Sequence, residues 1–203
     1  MIFCLSILAY AQTPQDRATE LKKQAQSSLN QKDYIKARYL FKKAYEAFAT
    51  RGNYPQAIEC GVQANALYVR ENFYKEGFEL CRDMDQLIWT GEQNQKKVFY
   101  DLRFLVNKER LQMYTALKNP AQAKTQLNKL EETANLAKND SLTEVLLYTK
   151  ANYYYTFNQN TQGDACFRKL INQYKEKKDY AKVNDCYKNL IGCLLYTSDA
   201  ADE

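Results

Sequence analysis

Histidine does not occur in this chain, and that absence sets the first boundary on function. Without imidazole there is no His-ligated metal, no Ser-His or Cys-His nucleophile pair and no phospho-accepting histidine in these 203 residues. Proline (3) and glycine (6) are scarce, so tight turns are few and helices can run without interruption. The apolar run from Ile2 to Ala9 is too short to cross a bilayer as a helix. No Gly-rich phosphate loop, metal-ligand cluster or nucleophile motif is present, so no active site and no cofactor are expected in this stretch. The 29 basic and 24 acidic residues leave a formal charge of +5, but the basic groups are scattered among acids. A nucleic-acid surface gathers its cations along one helix or face, so nucleic acid is not an expected partner.

What is present is helix-forming composition: Lys, Gln, Asn, Ala, Leu and Tyr, with apolar residues at helical spacing. Thr13, Pro14 and Asp16 have the makings of an N-cap, a first-turn proline and an acid near the positive helix end. Leu21, Ala25 and Leu29 continue the stripe, and Tyr34, Ala37, Phe41 and Ala44 form a second one in the next segment. A small residue followed four positions later by a bulkier one recurs as Ala37/Phe41, Gly77/Cys81, Ala123/Leu127 and Gly163/Phe167, at spacings of 40, 46 and 40 residues. Such a recurrence predicts an all-α superhelical array of antiparallel helix pairs, about four and a half repeats over 12–192. Each pair cannot cover its own apolar face, and stacking covers it; the small residue admits close approach and the large one fills the gap beside it.

First helices are expected over Leu21 to Leu29, Ala57 to Val69, Val98 to Leu117 and Val145 to Phe157. Gly52 and Gly91 mark helix ends, Asn119-Pro120 marks a helix start, and Ser141 is a candidate cap. A fifth first helix begins near Tyr180, with Val183, Cys186, Tyr187, Leu190 and Ile191 as its buried face. Trp89, the only tryptophan, is expected to plug the longer 46-residue step.

The two ends read differently. Residues 1–11 have the apolar core of a signal peptide and an Ala9-Tyr10-Ala11 cleavage pattern, without a basic n-region, so the chain is expected to be exported to the periplasm. The last eleven residues, CLLYTSDAADE (193–203), carry no helical pattern and can be encoded by a transposase sequencing adaptor read through in frame; an artefact is the expectation there. Cys60, Cys81, Cys166 and Cys186 form no CxxC pair and are expected to be small buried hydrophobes, with a disulfide not deducible.

The segment DYIKARYLFKKA resembles the second-helix signature of a tetratricopeptide repeat, with Tyr34, Ala37, Phe41 and Ala44 at the matching positions. Weaker matches follow at Ala123, Leu127 and Leu130, and at Ala151, Tyr154, Gly163, Phe167 and Leu170. An export signal followed by these repeats resembles the extracytoplasmic half of bacterial membrane-anchored sensor histidine kinases. That resemblance implies a protein or peptide partner, or a small ligand, in a concave groove lined by first helices. It implies that the membrane is met only through a segment beyond this chain, which also holds the kinase core, and that the complete protein can form a homodimer. A free periplasmic scaffold and the sensory part of a membrane-anchored helix-turn-helix regulator share the features visible in these residues, and only the sequence downstream separates them. Lys108, Gln112, Tyr148, Asn152 and Tyr155 are the candidate groove residues, while Tyr153 and Tyr154 read as core.

Overall fold

The computed structural model describes residues 14–199, with side chains from 17 to 192. The signal-peptide reading of 1–11 and the side chains of 193–203 lie outside the described residues. Among those described, the protein is all-α: α1 Pro14–Asn30, α2 Tyr34–Ala49, α3 Tyr54–Arg70, α4 Tyr74–Gln95, α5 Tyr100–Ala116, α6 Pro120–Ala137, α7 Asp140–Thr156, α8 Asn160–Glu176 and α9 Tyr180–Asp199. They fall into two compact units, one up to Glu76 and one from Gly77 onward. In the first, α2 packs against both α1 and α3; in the second, α5 packs on α6, α6 and α8 on α7, and α8 on α9. This is a helical-repeat architecture of consecutively packed pairs.

Helix starts reveal a period finer than the hairpin. Tyr34, Tyr54 and Tyr74 open α2 to α4, and Tyr100, Pro120, Asp140, Asn160 and Tyr180 open α5 to α9, so starts recur every 20 residues on either side of one 26-residue step. The turns explain the period. Lys32, Gly52, Asn72, Lys118, Lys138, Asn158 and Lys178 all sit at left-handed φ, two residues before the next helix. The following N–H reaches back five residues to a carbonyl: Asp33 to Ser28, Asn53 to Phe48, Phe73 to Tyr68, Asn119 to Tyr114, Gln159 to Tyr154 and Asp179 to Tyr174. That is the bond by which a helix end satisfies its orphan carbonyls before the chain reverses. Lysine in a left-handed conformation is strained, but a cation next to a helix C-terminus is favoured by the negative helix end, which offsets part of that strain. Asp33, Asn53, Asn119 and Asp179 then cap the next helix through bonds from the N–H groups of Lys36, Gln56, Gln122 and Lys182.

The cores are formed by the inward faces of these helices. Ala37, Phe41 and Ala44 are buried in the first unit, and Tyr34 is half-buried beneath the Arg70 guanidinium. In the second unit Phe104, Leu111, Ala123, Leu127, Leu130 and Tyr153 form one cluster, and Ala151, Tyr155, Phe167, Leu170, Tyr174 and Cys186 form the next. Gly77 is buried beside Cys81, and Gly163 lies under the ring of Tyr155. Cys60, Cys81, Cys166 and Cys186 are buried free thiols.

Three local expectations give way. Gly91 lies inside α4, buried, because that helix runs to Gln95. Asn139, rather than Ser141, caps α7: its side-chain oxygen accepts the Ser141 N–H at 3.0 Å. On α9 Val183 and Cys186 are buried, whereas Tyr187 and Ile191 are 41% and 56% exposed, since α8 is the described helix that packs along it. The α9 backbone continues through residue 199. No described helix is long and apolar enough to cross a membrane.

Candidate functional site

The long step between α4 and α5 lies within the second unit. With 22 residues α4 is the longest described helix, and its last turn carries Glu92 to the start of α5. Phe99, the N-cap position of α5, has no side chain that can cap. Glu92 takes over: one carboxylate oxygen accepts the Phe99 N–H at 2.9 Å and the Arg103 Nε–H at 2.7 Å, while the other pairs with the Arg103 guanidinium. The hydrogen bond from Arg103 holds the Glu92 carboxyl below its ordinary range, against a burial effect that pushes it up.

Beside this clasp lies a cavity of about 490 Å³ among α4, α5 and α6. Asp85 and Trp89 come from α4, Tyr100, Arg103, Asn107 and Arg110 from α5, and Lys129, Glu132, Thr133 and Leu136 from α6. Helical spacing makes the convergence: Arg103, Asn107 and Arg110 lie at intervals of four and three on one face of α5, and Lys129, Glu132 and Leu136 at intervals of three and four on one face of α6. Arg110 pairs with Asp85 at 2.5 Å, and Asn107 donates to the Thr133 hydroxyl at 3.3 Å, which itself donates to the Lys129 carbonyl. Lys129 and Glu132 make no ion pair with a described residue. The cavity thus presents a cation, a carboxylate and amide and hydroxyl groups beside two large apolar walls, Trp89 at 60% and Leu136 at 50% exposure. The chemistry this surface offers is stacking, hydrogen bonding and charge. Among the described residues no cluster of acids and thiols could hold a metal ion.

Trp89 therefore does not plug the long step. The α4 face that turns inward there is Ile88, Gly91 and Glu92, leaving the indole outward at the cavity wall.

The five residues singled out by sequence are dispersed. Lys108 pairs with the neighbouring buried carboxylate of Glu109 at 3.1 Å. Gln112 is exposed and lines a shallow groove of about 290 Å³ with Thr115, Thr149 and Thr156. Asn152 is exposed, and by helical spacing it shares that α7 face with Thr149 and Thr156. Tyr148 is half-buried, edge-on to Phe167 with ring centres 5.5 Å apart. Tyr155 is buried against Phe167, and its hydroxyl donates to Asp164. Gln112 and Asn152 thus share a surface, while Tyr148 and Tyr155 turn toward α8. Two nearby carboxylates are held by cations: Glu131 meets Lys150 at 2.5 Å, and Asp85 meets Arg110.

The cavity residues were not among the candidates drawn from sequence. The signal that points to them is the 26-residue step in a 20-residue register, next to the only tryptophan. No protein-family model matches this chain, and a search of curated proteins finds no match to it.

Proposed function

We propose that this chain is an interaction module built from tetratricopeptide-like repeats, and that the α4–α5–α6 cavity is its binding centre. The observation that carries this reading is the convergence of Trp89, Asn107, Arg110, Lys129 and Glu132 around about 490 Å³ of open space. Concave, mixed apolar and polar surfaces of this size are where proteins hold peptide segments and small ligands. Its physiological setting, on this reading, is the exported sensory half of a membrane-anchored signalling protein, a two-component sensor histidine kinase whose membrane helix and kinase core lie beyond this chain. Support for that setting comes from the apolar leader with its Ala9-Tyr10-Ala11 pattern and from the repeat signature around Tyr34 to Ala44. A ligand would shift signalling only by binding one state of the repeats more tightly than another.

The test has two arms. Trp89 is the sole tryptophan, so its emission reports on the cavity alone. Titration of the whole chain with an array of synthetic peptides should yield saturable emission changes that Asn107→Ala and Lys129→Ala weaken. Hits indifferent to both substitutions would refute the cavity as the binding centre. For the setting, the continuous genomic reading frame should contain a hydrophobic span and a kinase core downstream; a stop codon just after the fifth repeat would rule them out.

A further inference from the structure

The first unit carries a second surface with its own chemistry, on α2. Its buried face is complete: Ala37, Leu40, Phe41, Ala44, Tyr45 and Phe48 all point into the α1–α2–α3 core. Two large apolar side chains remain outside it. Ile35 is 69% and Tyr39 61% exposed, one turn apart on the same line of α2. They border a groove of about 430 Å³ together with Arg38, Lys42, Lys43, Glu46 and Tyr68.

The groove has a fixed wall and a free charge. Arg38 is held from three sides: its guanidinium lies 4.8 Å from the centre of the Tyr68 ring and 5.1 Å from that of Phe73, and it pairs with Glu71. That packing makes the wall rigid and extends the apolar rim to Phe73. Lys43 pairs with Glu46 at 3.0 Å. Lys42 is exposed and makes no ion pair with a described residue. Along α2 as a whole, Lys36, Arg38, Lys42 and Lys43 outnumber the two acids they meet, Glu46 on the same helix and Glu71 beside Arg38. An exposed apolar pair beside cations outnumbering acids has a specific complement: apolar side chains one helical turn apart, flanked by carboxylates.

We infer that α2 is a docking surface for an acidic amphipathic helix of a partner protein, which lays apolar side chains on Ile35 and Tyr39 and carboxylates on Lys42 and the α2 cations. This is the helix-in-groove mode, in which the apolar anchors supply affinity and the charges supply orientation and rate. The inference does not depend on the α4–α5–α6 cavity.

The whole chain is the test protein, and three labelled synthetic probes separate the explanations. The first is an 18-residue amphipathic helix with a Leu/Phe stripe flanked by glutamates; the second has the same composition scrambled; the third carries lysine for glutamate. Saturable binding of the first, at least about tenfold tighter than of the other two, is expected. Tyr39→Ser and Lys42→Glu should each weaken it about tenfold or more. Both side chains are exposed, and an unchanged melting temperature shows that the fold is intact. Equal binding of the scrambled probe would overturn the inference, since charge alone would then account for it. So would binding to vesicles of three parts phosphatidylcholine to one part phosphatidylglycerol with no binding of the first probe, which would make α2 a membrane surface. Self-association abolished by the same two substitutions, again with no probe binding, would assign the face to a second copy and overturn it too.

Discussion

At Gly163 one added methyl group tests how α7 packs on α8. A Cβ there would lie 2.7 Å and 2.9 Å from two carbons of the Tyr155 ring. The ring has little room to give, because it packs on Phe167 and its hydroxyl is bound to Asp164. Gly163→Ala should therefore destabilise the chain by about 2 kcal/mol, as overpacking a core does. Gly192, also helical, has nothing among the described residues within 4 Å of such a Cβ. Gly192→Ala should be neutral, or stabilising by up to about 1 kcal/mol. Urea titration of the two variants beside the parent gives the contrast, and equal effects would disprove the packing at Gly163. The buried cysteines offer a second test at this scale. Burial pushes the Cys60 and Cys81 thiols up to about 12, and raises Cys166 and Cys186 as well. Since the thiolate is the reactive form, an alkylating reagent at mildly alkaline pH should leave Cys60 and Cys81 unmodified in the native chain and modify both in denaturant, as mapped by mass spectrometry.

The elements were legible in sequence to different depths. Apolar spacing marked the helices, and Asn119-Pro120 and Gly52 marked a start and a stop, because those signals act through the local backbone. The 20-residue turn was harder to read. Its left-handed position is filled mostly by lysine, a residue whose type carries no turn signal, and the defining bond from Asp179 to the Tyr174 carbonyl is between backbone atoms. Long-range capping was invisible for another reason. Glu92 stands seven residues from Phe99, a spacing no local capping pattern contains. Trp89 was misplaced on the same account, because Gly91 reads as a helix end and in fact lies within α4. Two predictions belong to these elements. Replacing Lys118 or Lys138 by glycine should stabilise the chain by about 1 kcal/mol each, relieving the left-handed strain; thermal unfolding measures it. Glu92→Ala should destabilise by about 2 kcal/mol, by stripping the Phe99 N–H and Arg103 of their acceptor.

For the whole molecule, carboxylates set the response to acid. Hydrogen bonds from Arg103 to Glu92 and from Lys177 to Glu144 hold both carboxyls below their ordinary range. The folded chain therefore binds these protons less readily than the unfolded chain. Their stabilisation is complete above about pH 5 and is lost as pH falls through the folded-state values. Melting temperatures taken from about pH 7 to about pH 3 should fall, and should fall less steeply in Glu92→Gln and Glu144→Gln variants, which cannot titrate. The repeat itself makes a broader claim. If every helix is one copy of a 20-residue unit closed by the same turn, protection of backbone amides must follow that register. Hydrogen–deuterium exchange along residues 17–192, read at single-residue resolution, is the most direct measurement. Slow exchange should fill the helices beyond their first turns, with fast windows where each helix opens and has no preceding turn to bond to: from 34, 54, 74, 120, 140, 160 and 180, and from 100 after the 26-residue step. Protection running through those windows, or exchange without any 20-residue spacing, would contradict the account.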